Sequence, residues 1–433
     1  MKLFCVFIVF IFNFSSNLIA DDIFFYLDSA YKNNPKLNSE RKNLEAIKQN
    51  LNISRSEFLP SISLSSERSD TQNTSSSNQA GSSLPDTSRN KTTNTFSIDQ
   101  KIFDGFQNIN NFKKSKLETE KAKTNLKKVE QEIILESVYA FYDLLYKKKN
   151  KEFNNKNVSL FERQVESDGS RMQKGEITLT DLAQSESSLA EAKAKFISAK
   201  TELSNAEADF ERIIRTVPPK NISQKLNLKL NLPNNRNEVL KLSEQNHPKL
   251  IVAKLNYEIS IRNFSIEKAK FSPSASINYS KVDNDDFSST INKIEQEVVT
   301  GKVSWPIVKG GRNYASIKKS RFKKEQSKLI MQDAINEVKT NAINAWSVYE
   351  SSEGILKATE AQLEAAEIAN EGITLEYDSG STRTTLDVIQ SRSLLLSARI
   401  SNAKARRDFI ISQFKLLSSV GNLSLNYIKK SNN

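Results

Sequence analysis

The chain has 433 residues, a formal net charge of +12 and 26% charged residues, with only 11 Gly, 9 Pro, one His and one Cys. Few helix breakers over such a length argue for long helices and against a turn-rich β protein. One Cys leaves no disulfide framework or thiolate metal site, and Lys mixed with Glu along both halves reads as solvated helix faces, not a nucleic-acid patch.

Residues 1–20 read as a secretory signal. Lys2 supplies the positive start, Leu3 to Phe14 a short apolar core, and Leu18-Ile19-Ala20 the small-residue cleavage site before Asp21. That core is too short to span a bilayer comfortably. Cys5 lies inside it, so the mature chain is expected to carry no thiol and no lipid-acceptor cysteine at the cleavage point.

Asp22 to Ser56 predicts helix, interrupted at Asn33-Asn34-Pro35, where Pro opens a second piece. After Pro60, Ser61-Ile62-Ser63-Leu64-Ser65 alternates with period two, as does Thr95 to Ile102. Between them Ser66 to Asn94 is rich in Ser, Thr and Asn without apolar periodicity, and reads as a long exposed hairpin loop. Gly105 to Met172 is a helix of about 68 residues, roughly 100 Å if unbroken. A tight turn follows at Gly175, a residue type suited to the left-handed position past a helix end. From Leu182 a bulky apolar residue recurs every seven positions (Leu189, Phe196, Leu203, Phe210, Val217). Small residues follow three places on (Ser185, Ala192, Ala199, Ala206), which is coiled-coil packing with close helices. The connector, residues 217–235, starts at Val217-Pro218-Pro219.

Everything then happens again. Asn34-Pro35-Lys36-Leu37 recurs as His247-Pro248-Lys249-Leu250, Phe58 and Pro60 as Phe271 and Pro273, Gly105 as Gly310, and Ala140-Phe141 as Ala345-Trp346. Ala275, Ile277 and Tyr279 alternate, as do Val299, Val303, Trp305 and Ile307, around a polar tip. The second turn carries Gly380, and Thr384 with Asp387 reads as a capping box. Val388, Leu395, Asn402, Phe409 and Leu416 repeat the heptad. The chain is thus two helix–hairpin–helix repeats, 21–216 and 236–421, with a C-terminal tail at 422–433. The aromatic clusters Tyr139–Tyr146 and Trp346, Tyr349 fall at equivalent places and read as packing.

Beyond residue 21 nothing resembles a transmembrane helix. A membrane part must then be a closed β-barrel, and the one-sided hairpins fit one. Four strands cannot close a barrel, so several chains must share it. Catalysis finds no support: His247 sits in a turn before Pro248, and Gly310-Gly311 lacks phosphate-loop spacing.

The signal segment, the doubled helix–hairpin–helix unit, Phe103-Asp104-Gly105 against Val308-Lys309-Gly310-Gly311-Arg312, and the turn Tyr377-x-x-Gly380…Thr382-Arg383-Thr384…Asp387-Val388 together resemble the TolC family of outer-membrane efflux and secretion channels. The resemblance covers essentially the whole mature chain. It implies a mixed α and β fold dominated by long helices. A homotrimer builds a twelve-stranded transmembrane barrel in outer-membrane lipid, continued by a periplasmic coiled-coil tunnel. It further implies a passive duct without cofactor, served by a periplasmic adaptor (membrane fusion) protein and an inner-membrane pump or ABC transporter. The tunnel's end is expected at the turns of Gly175 and Gly380. Tyr377 and Arg383, facing Thr180 and Asp181, would latch it shut. Asp387 would form the constriction ring, with Gln390 at the second ring position where the family has Asp. Ser381 is an insertion in this turn. Asp181 and Asp387 also read as first-turn acids that stabilise their helices through capping and the dipole. The rival reading is a secreted coiled-coil structural or adhesin-like envelope protein, which accounts for the heptads but not for the paired hairpins.

Overall fold

The computed structural model describes residues 23–219, 230–288, 291–379 and 383–432. The signal segment, the middle of the connector, Gly380, Ser381 and Thr382 lie outside the described residues. The first repeat comprises α1 (Ile23–Asn33), α2 (Pro35–Ser56), β1 (Ser61–Asn73), the short β2 (Ser76–Ser77) and β3 (Ser83–Leu84), β4 (Thr87–Phe103), α3 (Gln107–Gln173) and α4 (Leu179–Ile214). The second comprises α5 (Arg236–Asn246), α6 (Pro248–Ala269), β5 (Ser274–Asp285), β6 (Lys293–Ser304), α7 (Arg312–Asp378) and α8 (Thr385–Ser419), and α9 (Leu425–Asn432) follows. Helix lengths of 11, 22, 67 and 36 residues recur as 11, 22, 67 and 35, so the duplication is structural.

Local chemistry sets the breaks. Pro35 and Pro248 each occupy the first helical position, where the missing N–H costs nothing. Asn34 Oδ1 accepts from the Lys36 and Leu37 amides at 3.0 and 3.4 Å, capping α2. At the end of α3, Glu176 N–H reaches Arg171 O and Gly175 N–H reaches Met172 O, both at 2.9 Å, with Gly175 at φ +76°. That is a Schellman stop, which needs the left-handed residue glycine supplies.

Two compact units emerge, and they cut across the repeats. The first takes residues up to 38, 129–247 and 339 onward. Its core joins Ile23 and Leu27 of α1, Phe141 of α3 and Phe210 and Ile214 of α4, all buried. The Tyr26 ring lies 5.5 Å from Phe141 and 5.4 Å from Phe210. The small heptad residues Ser185, Ala192, Ala199 and Ala206 are buried as the spacing requires, and so are Ser391, Ala398 and Ala405 of α8. The aromatic clusters serve packing: Tyr349 stacks on Phe409 at 6.0 Å. The residues after 421 form a docked helix, with Leu423 and Ile428 buried and Tyr427 Oη donating to Asn231 O at 2.6 Å.

The second unit, 39–128 and 248–338, holds one antiparallel sheet in the order β1-β4-β5-β6. Its register separates two faces. One cross-strand row reads Ile62, Ile98, Tyr279, Val299, and the next reads Ser63, Ser97, Ser280, Val298. Ile62, Leu64, Ile277, Val299 and Val303 are exposed on the apolar side. A broad exposed apolar sheet face marks contact with another apolar medium.

The segment expected as a loop, 66–94, is mostly strand. β1 and β4 stay paired from Ser61↔Asp99 out to Asn73↔Thr87. Apolar alternation on β1 stops after Leu64, but the ladder is made by backbone groups and by hydroxyl and amide pairs. Ser66 Oγ donates to Asn94 Oδ1 at 2.6 Å, and Thr93 Oγ1 to Asn284 Oδ1 at 2.8 Å.

Gly105, between β4 and α3, has φ +68°, and a Cβ there would sit 2.6 Å from Ala269 O and closer still to Ser272 Cβ. Gly310, its counterpart, has φ +52° with open space around it. Gly310→Ala is therefore expected to cost about 1–2 kcal/mol for the left-handed backbone alone. Gly105→Ala adds a backbone clash and lowers the melting temperature further. Equal shifts for the two variants in thermal denaturation would refute this.

Candidate functional site

Both helix-tip turns are built around the same device. In the first, the Thr178 hydroxyl accepts from Asp181 N–H at 3.2 Å, while Asp181 Oδ2 accepts from Thr178 N–H at 2.9 Å. In the second, Thr384 and Asp387 repeat the exchange at 3.2 and 2.9 Å. These capping bonds hold both carboxyls below their ordinary range: the Thr178 hydroxyl bond leads for Asp181, the Thr384 backbone bond for Asp387.

An unfolded Asp titrates near about 3.9, and a depressed folded value means stabilisation is complete above that pH and lost as pH falls through the folded value. The protection of amides in the first turns of α4 and α8, measured against their intrinsic exchange rates, is expected to fall below about pH 4. Thr178→Val, which removes the hydroxyl bond but keeps the backbone N–H bond to Asp181, should weaken the pH dependence at α4 while leaving α8 unchanged. A flat profile in the parent protein would contradict the coupling.

Between the turns lies a polar cluster that all four long helices supply. Asp168 of α3 is fully buried. Its Oδ1 accepts from Gln164 Nε2 at 2.9 Å and from Tyr377 Oη of α7 at 3.0 Å, and its Oδ2 accepts from Ser185 Oγ of α4 at 2.5 Å. Tyr377 Oη also lies 3.1 Å from Thr385 Oγ1 of α8. Arg392 of α8 donates to Gln164 Oε1 at 2.9 Å, and the Arg171 guanidinium covers the Tyr377 ring at 4.6 Å. Burial pushes the Tyr377 hydroxyl up, with the Asp168 charge adding to it, so it stays protonated and donates. Burial holds Arg392 below its ordinary value, and the surrounding acids oppose that fall.

The sequence-predicted site residues are distributed as follows. Tyr377 is buried in this cluster, not on Thr180 or Asp181. Arg383 is exposed and donates to Glu376 Oε2 at 2.6 Å, a pair that raises its pKa further. Thr180 is exposed, and Asp181 is engaged by Thr178. Within one chain, then, the four latch residues do not meet. Asp387 commits Oδ2 to Thr384, and Gln390, one turn on, is exposed. Gly175 closes the first tip, while Gly380 lies outside the described residues.

Sequence reasoning passed over Asp168, Gln164 and Arg392. The signal was present: Asp168 falls seven residues after Phe161, itself a buried core residue of α3. An acid in register with an apolar stripe demands partners from facing helices. Among the described residues no cluster of His, Cys, Asp and Glu is placed to hold a metal ion, and no helix is long and apolar enough to cross a membrane.

Comparison with known proteins agrees with this architecture. The sequence model of the family described as outer membrane efflux protein matches residues 26–214 and 239–422, one match for each repeat. The chain is 27% identical over 401 residues to the outer membrane efflux protein BepC of Brucella suis biovar 1 (strain 1330), covering 92% of this chain and 85% of that one. It is 20% identical over 432 residues to the outer membrane protein TolC of Escherichia coli (strain K12), covering 95% and 84%. Among solved structures, the CmeC outer membrane channel of Campylobacter jejuni superposes with a TM-score of 0.83 at 16% identity, covering 95% of this chain and 89% of that one.

Proposed function

The chain belongs to the outer membrane efflux protein family, and from that premise we propose how its parts make a gated duct. It is an outer-membrane protein with a periplasmic helical part, the exit duct of an efflux system. The coiled-coil stalk reading, which left the hairpins unexplained, gives way to it.

One observation carries the assembly. Among the described residues β1 and β6 each have a partner on one side only, so the four-stranded sheet has two open edges. Unpaired backbone groups at an edge are intolerable in lipid, and four strands are too few to close. Three chains pairing β6 of one with β1 of the next make twelve strands and remove every edge. The apolar face with Ile62 and Val299 then meets lipid and the serine face lines the pore. The duct holds no cofactor and takes its energy from an inner-membrane pump or ABC transporter through a periplasmic adaptor at the helix tips. Efflux is supported by the relatives' names, and type I secretion is the other use to which the same duct is open.

At the tip, three copies of Asp387 surround the axis, with Gln390 one turn further along. Exposed carboxylates crowded on an axis favour cations. Arg383 of one subunit closes the end by reaching Thr180 and Asp181 of its neighbour, for which it must leave Glu376. Tyr377 holds the inner helices from within the chain. Planar-bilayer recording tests this reading. The trimer is expected to give discrete cation-preferring conductance, Asp387→Asn to weaken that preference and block by trivalent cations severalfold, and Arg383→Ser to raise the closed-state conductance. A purified protein that stays monomeric and passes no current would end the duct reading. Unaltered selectivity in Asp387→Asn would end the constriction assignment alone.

A further inference from the structure

The charge of +12 is not spread evenly. Residues 309–328 carry eight cations, Lys309, Arg312, Lys318, Lys319, Arg321, Lys323, Lys324 and Lys328, against the single acid Glu325. Arg321 pairs with Glu325 at 3.1 Å, and Lys324 lies over the Phe264 ring at 4.9 Å. Among the described residues Lys318, Lys319 and Lys323 have no acidic partner, and all three are exposed. The equivalent opening of α3, residues 107–128, is also basic, with seven Lys against two Glu.

This patch has a defined place. Each of the four junctions between strand and helix carries an exposed aromatic: Phe58 before β1, Phe106 after β4, Phe271 before β5 and Trp305 after β6. Aromatic residues gather at the level where hydrocarbon gives way to head groups. Trp305 Nε1 donates to Phe271 O at 3.0 Å, which fixes two of them together. Lys309 follows Trp305 by four residues, and α7 begins at Arg312. Head groups add roughly 5–7 Å on each side of the hydrocarbon, and a helix rises 1.5 Å per residue. The first two turns of α7, through Lys319, therefore traverse that layer or lie just beyond it, and Lys323, about 6 Å further along, faces it by long-range attraction at low salt. Side chains of a helix lean toward its N-terminus. On α7, which leaves the sheet, the lysines lean back toward the membrane.

We propose that the start of α7, through Lys309, Arg312, Lys318, Lys319 and Lys323, binds the anionic phospholipid head groups of the periplasmic leaflet and sets the depth of the barrel. This rests on the outer-membrane duct reading. Three chains would set three such basic helix starts around the barrel, a ring that complements phosphodiesters on a two-dimensional surface.

The test uses the purified protein in phosphatidylcholine nanodiscs containing spin-labelled phosphatidylglycerol or spin-labelled phosphatidylcholine. A basic residue at such a surface contributes roughly a fivefold preference, so at low salt the parent protein is expected to favour phosphatidylglycerol at least fivefold. The preference should collapse at about 0.5 M salt, where the Debye length falls to a few ångströms. Lys318→Gln/Lys319→Gln/Lys323→Gln should reduce it severalfold, with the remainder carried by Lys309 and Arg312. Lys193→Gln/Lys195→Gln/Lys200→Gln on α4 should leave it unchanged. A salt-insensitive preference, or none, overturns the proposal even if the triple variant fails to assemble. So does displacement of the labelled lipid by millimolar inorganic phosphate, which would mark a closed phosphate pocket. Loss of heat-resistant trimers in the variant with lipid preference intact would give these lysines to subunit contacts. Salt-sensitive retention on purified peptidoglycan, without lipid preference, would give them to the cell wall. Failure to insert into any bilayer would remove the duct reading as well, whereas insertion without preference removes only this one.

Discussion

Lysine in place of Ile62 is expected to abolish assembly in the membrane, while lysine in place of Ser63 is tolerated. The two residues are neighbours on β1, but their rows point to opposite faces. Ile62 shares its row with Ile98, Tyr279 and Val299. A lysine on the lipid face near the bilayer midplane costs about 2–4 kcal/mol, and a three-chain barrel would carry three of them. Ser63 donates to or accepts from Ser97 at 2.8 Å on the polar face, where an added ammonium finds water. Heat-resistant trimers in outer-membrane fractions are the readout. Equal loss for both variants would show that the sheet does not present one face to lipid.

The second large effect is expected at Asp168. Replacing it with Ala removes the acceptor shared by Tyr377, Ser185 and Gln164, all from inside the cluster. Each buried donor left without a partner costs about 1–3 kcal/mol. The loss falls where α3 and α4 are tied to α7 and α8, so it should appear as opening of the tip and not as global unfolding. Closed-state conductance should rise several-fold, and amides around 164–190 and 371–395 should exchange faster. Thr385→Val, which takes away a single hydroxyl from Tyr377, should do the same more weakly. If Asp168→Ala leaves conductance and exchange unchanged, the cluster is not what holds the tip closed.

Much of this fold is written locally. Heptads place Ser185, Ala192 and Ala199 against partner helices, since a seven-residue repeat keeps one stripe facing inward whatever lies opposite. Pro35 and Pro248 start helices because they cannot continue one, and Thr384 with Asp387 caps α8 through groups three residues apart. Local chemistry of that range is legible in order, and duplication makes it legible twice.

What tertiary structure decided involves groups far apart in the chain. The pairing of Ser66 to Asn73 with Thr87 to Asn94 has no apolar signature, because backbone bonds and hydroxyls hold it. The family resemblance sets Tyr377 and Arg383 against Thr180 and Asp181 of the other turn, yet Tyr377 turns inward to Asp168 on α3 and Arg383 takes the nearby Glu376. A side chain's nearest partner in space depends on which helices pack side by side, and that depends on the whole fold. The sequence by itself determined the repeats, the helix ends and the two-faced strands. Only the packed chain determined that a buried carboxylate on α3 joins four helices, because a buried charge takes its donors from whatever surrounds it.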